Sequence, residues 1–435
     1  MANYYDIPVV GIDVAANFSV VTALKPNGDI YKKNVKIKHS HDGFTKLVTL
    51  IQKIEKEFNV KSKVFCESTG IYHLTLFHYL IDQKIDINVI NPLITNSNKN
   101  SNIRKVKTDK FDSLSIARLS KYDDIKVSSY VSEEFLHLKF LVRDYYKMID
   151  LRANLKKAFS NNLYIYYPGF HKAFSDTTGK TALLFIETYP TPESILEADK
   201  LEVINLLQNS SRKGSQWAKT KYNTIIEIAT SAKQIGINTP CFANKVKRFI
   251  ETYKFYSNQL DNLSAEIMDY IDSASFSSVF KSNLELLKSF KGIGDITAIT
   301  LLTEMNAIEN FAKSSQLVAF FGIDPGVNQS GNFKGDQNKM SKRGTAIGRR
   351  ALYALALASI RKTKNKVPMN TVLYDYYHNT LKSKKKKVRL VAVMNKLLRY
   401  IFSVLKNQKP YEVRNPKIHK KMFLEANSRL ITKTA

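Results

Sequence analysis

The chain has little cysteine, glycine or proline, and each shortage excludes a class of protein. Only Cys66 and Cys241 occur in 435 residues, without CxxC spacing, so neither a disulfide framework nor a cysteine zinc site is expected. The eight histidines form no HExxH or zinc-finger pattern, which argues against a histidine-based metal site. With 16 glycines, 11 prolines and 44% hydrophobic residues, the chain should be folded throughout, and its cysteine usage fits a reducing cytoplasm.

Acidic residues and long apolar runs are also scarce. The sequence has 38 Asp and Glu against 67 Lys and Arg, which gives a formal net charge of +29 and implies a polyanionic partner. No run of about 18 apolar residues exists, as a membrane-spanning helix would require. The N-terminus MANYYDIPVVG lacks the charged and apolar regions of a signal peptide. We therefore expect a nucleic acid, and no membrane, as the partner.

The first 125 residues predict an α/β domain of the ribonuclease-H-like layout. The runs VVGIDVA, FSVVTAL and IYKKNVKIK indicate three strands in a meander. A helix over 42–58, the strand VFCES, a helix near 71–83, the strand DINVIN and a helical segment from about Thr108 follow in order. Three strands followed by alternating helices and strands are typical of that fold.

Residues 126–280 predict a long helical arm. Two seams with a period of about 3.5 residues indicate helices that pair as an antiparallel coiled coil or bundle, within one chain or between chains. Between them, residues 166–240 indicate a small helical insert. The first seam comprises Leu138, Leu141, Tyr145, Met148, Leu155 and Phe159, with a break at Arg152, and the second comprises Val246, Phe249, Tyr253, Tyr256, Leu260, Leu263, Ile267 and Tyr270.

Residues 281–409 predict an all-α third domain, followed by a basic, polar tail over 410–435. The segment SFKGIGDITAITLLTEM has the form of a helix-hairpin-helix element, in which glycines permit a tight turn whose backbone N–H groups can meet a phosphate. An ordinary helix-helix turn is the alternative. The candidate nucleic-acid contacts in this element are Lys288, Lys291, Gly292 and Gly294.

Four acidic residues are candidates for a metal-dependent phosphoryl-transfer site. Asp13 interrupts an apolar strand, which would be costly without a role, and Glu67 ends a second strand. Asp109 and Asp112, three residues apart at a helix start, share one helical face, although Asp109 is as readily explained as a helix cap. Carboxylate oxygens suit Mg²⁺ or Mn²⁺, and two such ions can activate the attacking oxygen and stabilise the leaving one.

A serine lies among cations further along the chain. In FFGIDPGVNQSGNFKGDQNKMSKRGTAIGRRALYALAL, Ser330 lies in a Gly-rich loop and could attack a phosphate, with the cations stabilising the developing charge. Most serines in such a setting are simply turn residues. No GxSxG motif supports a hydrolase triad instead. The accompanying candidates for nucleic-acid binding are Lys339, Lys342, Arg343, Arg349 and Arg350.

Taken together, these motifs resemble the transposases of insertion sequence family 110. The ordered series GID, CESTG, KTDKFDSLSIARL, YPTPESI, GIGDITAITLLTEM, FFGIDPGVNQSG and MSKRGTAIGRRALYALA spans nearly the whole chain. The resemblance implies a RuvC-like domain whose acids match Asp13, Glu67, Asp109 and Asp112 and bind Mg²⁺. It also implies a nucleophilic serine at Ser330, preferred over Ser341 because the family often has threonine at the latter position.

The resemblance further implies what the protein binds. Members recombine donor and target DNA under the guidance of a bridge RNA, as dimers or tetramers in which the acids of one subunit meet the serine of another. A bacterial cytoplasmic, nucleoid-associated protein would follow. Two other functions remain open from the residues alone: a Holliday-junction resolvase that hydrolyses DNA with water, and a non-catalytic nucleic-acid scaffold whose acids are structural.

Overall fold

The computed structural model describes residues 6–68, 70–90, 109–121, 127–128, 132–237, 239, 241–273, 276–326, 329–330, 333–334, 339–422 and 424. For residues 109–112, 127–128, 329–330 and 333–334 it describes the backbone alone. The chain divides into two compact units, residues 1–131 and 132–435. Within the described residues, no helix combines the length and the apolar content needed to cross a membrane.

A six-stranded sheet forms the centre of the first unit. Its strands are β1 (Val9–Val14), β2 (Phe18–Leu24), β3 (Ile30–Lys38), β4 (Lys63–Glu67), β5 (Ile87–Ile90) and β6 (Val127–Ser128), in the spatial order β3-β2-β1-β4-β5-β6. The first three form an antiparallel meander, β4 and β5 continue it in parallel from β1, and β6 is antiparallel. The predicted order of strands is confirmed, and it fits a ribonuclease-H-like layout.

Alternation along the strands gives the sheet two apolar faces. Val10 and Ile12 of β1 pack with helices α1 (His41–Phe58) and α2 (His73–Asp82) in one core. Val9, one residue out of phase, packs on the opposite face with Ile116 of helix α3 (Asp109–Leu119). Because successive side chains of a strand point to opposite faces, residues 9, 11 and 13 all face α3.

The second unit is helical, and two long helices run through it. These are α4 (Glu133–Tyr166) and α10 (Cys241–Asp272). The start of α4 shares a core with the end of α10, and the end of α4 shares another with the start of α10, so the helices are antiparallel. At one end, the rings of Phe159 and Phe249 stack with centroids 3.6 Å apart.

The middle of this helix pair differs from the ends. No residue of α4 between 147 and 158 is buried. Arg152, where the apolar spacing of the sequence breaks, instead donates a hydrogen bond from Nη1 to Ser257 Oγ at 3.3 Å. The helices therefore join two separate cores, and the stretch of α4 between these cores has no buried residue.

The insert forms one of these cores. Its helices are α5 (Phe170–Ala173), α6 (Lys180–Thr188), α7 (Pro192–Leu196), α8 (Lys200–Ser210) and α9 (Ser215–Ile235). The other core combines the base of the helix pair with the remaining helices, which are α11 (Ser278–Lys288), α12 (Asp295–Met305), α13 (Ser314–Phe320), α14 (Ala346–Ser359), α15 (Thr371–Asp375) and α16 (Lys386–Asn407). The second unit also contains a 3-10 turn over Ile308–Asn310, a π turn over Tyr376–Thr380 and the short strands β7 (Gln329–Ser330) and β8 (Phe333–Lys334).

The start of the expected polar tail is packed on the helical unit. The Tyr411 ring stacks on Phe290 with centroids 4.2 Å apart, and its hydroxyl accepts a hydrogen bond from Asn370 Nδ2 at 2.9 Å. Its backbone N–H donates to Ser289 Oγ at 2.7 Å. Residues beyond 424 lie outside the described part of the chain.

Candidate catalytic site

Two of the four predicted acids lie side by side at the carboxyl ends of adjacent strands. The parallel register of β1 and β4 pairs Ile12 with Cys66, so Asp13 and Glu67 are the next residues on neighbouring strands. Phe65 packs on the α3 side of the sheet, and Glu67, two residues later, shares that side. Asp13 faces the same way because it alternates with Ile12. The sheet therefore brings these two carboxylates to one edge and one face.

A glycine allows α3 to lie unusually close to β1. A Cβ on Gly11 would lie only 2.5 Å from Ser113 O and would overlap the backbone of Ala117. On the neighbouring strand, the Thr22 and Ser113 hydroxyls are hydrogen-bonded at 2.9 Å, and both residues are fully buried. The helix is thus fixed against β1 at a distance that only glycine permits.

The direction of α3 places its first turn near Asp13. At its far end, Lys121 Nζ donates hydrogen bonds to Ile7 O at 2.7 Å and Pro26 O at 2.6 Å, next to the start of β1. Ser113 lies over Gly11, further along the strand. Because α3 runs antiparallel to β1, its amino-terminal turn, which contains Asp109 and Asp112, lies toward the carboxyl end of β1. The side chains of those two residues lie outside the described residues.

The described acids differ in exposure. Glu67 is 9% exposed, whereas Asp13 is half-buried. Cys66 lies on the opposite, apolar face, where burial, with a smaller contribution from the charge of Glu67, raises the pKa of its thiol to about 12. Among the side chains that the structure describes, no three His, Cys, Asp or Glu residues form a metal-binding group. The two described carboxylates would need partners from the first turn of α3.

The segment SFKGIGDITAITLLTEM forms the connection between α11 and α12 and the whole of α12. Gly292 has φ +91°, a conformation that favours glycine, and its α-carbon faces Ala358 and Met369. Gly294 precedes α12 and has open space around it. Lys288 Nζ lies 3.0 Å from Glu285 and 3.2 Å from Asp295, so two carboxylates already neutralise this candidate contact. Lys291 is exposed.

Ser330 lies in a β-hairpin, whereas the sequence suggested a loop. Ser330 pairs with Phe333 and Gln329 with Lys334 in antiparallel register. At the base, Pro325 pairs with Met340. The Ser330 side chain lies outside the described residues. The alternation of apolar and polar residues cannot be recognised in strands of two residues, so the sequence did not predict β7 and β8.

The competing serine and the candidate cations have separate surroundings. Ser341 Oγ is hydrogen-bonded to Asp324 Oδ1 at 2.5 Å, at the base of the hairpin. Arg349 Nη1 donates to Gly344 O at 2.7 Å and to Phe321 O at 3.2 Å. Arg350 lies 2.7 Å from Asp150. The remaining candidates, all exposed, are Lys339, Lys342 and Arg343.

The sequence analysis did not identify the residues that position α3 beside the two carboxylates. Gly11 is the glycine of GID, and a glycine inside an apolar strand indicates a close backbone approach. Ser113 carried no comparable signal, because a serine in a helix usually faces solvent. Both become recognisable only when α3 is placed over β1.

Comparison with known proteins agrees with this arrangement. Residues 10–168 match a family model of DEDD transposases of the IS110 type, described as a transposase. Residues 284–370 match the model described as the transposase IS116/IS110/IS902 family. The two matches lie in the same order as the sheet-edge acids and the hairpin serine, and together they cover more than half of the chain.

A curated relative is similar over part of its length. The transposase for insertion sequence element IS1111A of Coxiella burnetii (strain RSA 493 / Nine Mile phase I) is 28% identical over 210 residues. The alignment covers 48% of this chain and 54% of the relative, so the chain matches about half of that protein's length. On the two family matches, this chain belongs to the IS110 family of transposases.

Proposed function

We propose that this protein catalyses DNA strand exchange for an insertion sequence, using Ser330 as the nucleophile and a carboxylate site for Mg²⁺ or Mn²⁺. The observation that carries the proposal is the edge of the sheet, where Asp13 and Glu67 share a face and the first turn of α3 lies toward them. Neighbouring carboxylates are unusual in a chain of net charge +29. With two further carboxylates from α3, they would supply the oxygen ligands that metal-assisted phosphoryl transfer uses.

The metal would be held by Asp13, Glu67, Asp109 and Asp112. This donor set is all oxygen, which favours hard divalent cations over zinc or copper. When bound, such an ion supplies charge stabilisation at the non-bridging phosphate oxygens. The close packing of α3 at Gly11 serves to hold two of the four ligands at a fixed distance from the other two.

The proposed reaction conserves phosphodiester bonds. The Ser330 oxygen forms a bond to a DNA phosphorus, the bond from that phosphorus to a deoxyribose oxygen breaks, and the serine proton is transferred to the departing oxygen. A hydroxyl of a second DNA strand then displaces the serine by the reverse chemistry. Bond energy is retained in the serine ester, so no nucleoside triphosphate is required.

The cationic surface would hold the nucleic acids. Lys339, Lys342 and Arg343 are exposed near the hairpin base, and Lys291 is exposed beside the turn between α11 and α12. We extend the proposal to a bridge RNA as guide, which the family resemblance suggests. We also propose a dimer or tetramer in which paired α4 and α10 helices meet those of another subunit, so that the acids of one subunit serve the serine of the next. Recombination would then take place in the bacterial cytoplasm at the nucleoid.

Paired substitutions test the two sites. Asp13→Asn and Ser330→Ala should each reduce recombinant junctions to background in an assay with purified protein, donor and target plasmids, Mg²⁺ and RNA from the element's noncoding end. Asp42→Asn, a change at an exposed acid of α1, and Ser341→Ala are the matched controls. Full recombination by Ser330→Ala would refute the serine nucleophile, and cleavage without joining would favour a water-dependent resolvase.

A further inference from the structure

A large cavity lies between α16 and the base of the Ser330 hairpin. Its volume is about 1050 Å³, at the upper end of the range of roughly 300–1,000 Å³ for ligand sites. Its apolar lining includes Ile323, Val372, Val391 and Ala392. None of these residues is part of the carboxylate site, and the proposed chemistry at Ser330 leaves the cavity without a role.

The charge around this cavity is mainly positive. Among the described residues of the lining, six are lysine or arginine and one, Asp375, is acidic. Within the described chain, none of the lysines and arginines of the lining forms a salt bridge, although Arg399 Nε donates to Asn395 Oδ1 at 2.9 Å. The cations in the lining are Lys339, Lys342, Lys387, Lys396, Arg399 and Lys420.

One of these cations is unusual in its surroundings. Lys396 Nζ lies 4.3 Å from the centroid of the Tyr376 ring, and burial lowers the pKa of its amine. Nearby, burial lowers the pKa of His419, and Lys396 and Arg414 lower it further. Asp375 offsets part of this effect on Lys396, and the other five cations of the lining are exposed. Like charges so close together repel one another, and an anionic ligand would relieve that repulsion.

The hairpin leaves from the rim of the cavity. Ile323 and Pro325 line it before the hairpin, and Lys339 and Met340 line it after. Ser330 is the fifth residue after Pro325, and at about 3.3 Å per residue the two positions are at most about 17 Å apart. At that distance one nucleic-acid strand can contact both the cavity and Ser330.

We infer that this cavity binds an unpaired, unstacked nucleotide of the DNA strand that reacts at Ser330. The apolar side chains of the lining and the ring of Tyr376 can contact the faces of a base, and the cations can hold its phosphates. A paired base cannot enter a concave cavity, and unstacking costs a few kcal/mol, so the site would favour strands that are already separated. This inference rests on the proposed function for the choice of strand, and binding itself can be measured without catalysis.

The test measures binding by the Ser330→Ala protein. Because this variant lacks the proposed nucleophile, the result does not depend on whether the covalent step takes place. Fluorescence anisotropy would compare a labelled ten-residue oligothymidylate, the matching oligouridylate and a ten-base-pair duplex. Ala392→Glu places a negative charge in the cavity lining, and Lys396→Gln removes a cation. We expect each to weaken binding of the single-stranded DNA by roughly tenfold or more, with less than a twofold change for the duplex.

Two substitutions on the same helix provide matched controls. Ser403→Glu and Lys406→Gln make the same charge changes at exposed positions of α16 outside the cavity lining. Both should leave all three affinities within twofold. Thermal unfolding followed by circular dichroism would establish that each variant is folded. If Ala392→Glu does not fold, Lys396→Gln still tests the inference.

The salt dependence gives an independent readout. Loss of one phosphate contact should reduce the slope of log affinity against log salt for the single strand by about 0.7 in the Lys396→Gln protein. The inference would be overturned if the cavity variants lost affinity equally for the duplex and the single strand. It would also be overturned if their affinities equalled those of the α16 control variants. Tighter binding of the oligouridylate with the same sensitivity to Lys396→Gln would overturn the assignment to DNA.

Discussion

Gly11→Ala should separate the two halves of the carboxylate site without altering any acid. The new Cβ would lie 2.5 Å from Ser113 O, and ordinary contact begins near 3.4 Å, so α3 must retreat by about 0.9 Å. Overpacking of this kind costs about 1–3 kcal/mol of unfolding free energy. A misplacement of about 1 Å at a catalytic constellation can cost about a hundredfold in rate.

Two assays measure these effects. Urea unfolding followed by circular dichroism gives the loss of stability, and single-turnover DNA cleavage at saturating Mg²⁺ gives the loss of rate. Gly214→Ala is the control, since a Cβ there has no neighbour within 4 Å. We expect a folded Gly11→Ala protein whose rate falls by roughly a hundredfold. A protein with the wild-type rate and stability would show that α3 does not set the geometry of the site.

Three further predictions concern the stability of the fold. Lys121→Met should lower the unfolding free energy by about 1–3 kcal/mol, since two backbone carbonyls lose their donor; an unchanged urea midpoint would contradict this. Tyr411→Ala should cost about 3 kcal/mol and Tyr411→Phe about 1, because only the former loses the stack on Phe290; equal losses in urea unfolding would argue against that packing. Burial raises the pKa of Cys66 from 9.0 to about 12, so its stabilising contribution is complete below pH 9 and is lost as the pH rises toward 12. Between pH 8 and 12, the free energy of unfolding should therefore fall less steeply in Cys66→Ala than in the unchanged protein. An equal fall in the two proteins would contradict the raised pKa of Cys66.

Much of the first unit follows from patterns that the sequence displays. The apolar runs in VVGIDVA and FSVVTAL predict strands that are buried on both faces, and the structure has an apolar cluster on each side of the sheet. Because side chains alternate along a strand, Asp13 lies opposite the α1 side, and Glu67 does so in VFCES. Periodicity carries no information about register, so the adjacency of Asp13 and Glu67 became visible only through the pairing of Ile12 with Cys66.

The second unit was harder to predict in detail. The apolar spacing predicted two long helices, and the structure contains them as an antiparallel pair. The apolar spacing did not predict that the middle of α4 would lack buried residues, since a period of about 3.5 residues treats every turn alike. The packing of Tyr411 on Phe290 joins positions 121 residues apart, and a polar composition near the end of the chain gave no sign of it.

The cavity beside the hairpin could not be predicted because its lining comes from distant segments. Ile323, Asp375 and Lys396 meet only when α16 packs against the helices before it. Lys396 and Arg399, about one helical turn apart on α16, both contribute to the cavity, and nothing in their local sequence indicates it.

The most direct test of the central claim is to trap the protein on DNA. A nicked donor that loses its leaving strand after cleavage should accumulate a protein–DNA adduct that survives sodium dodecyl sulfate, and peptide mass spectrometry should locate the phosphoester on Ser330. The adduct should be absent in Ser330→Ala and in Asp13→Asn, and present in Ser341→Ala. Cleavage without any adduct, or an adduct attached to another residue, would contradict the account.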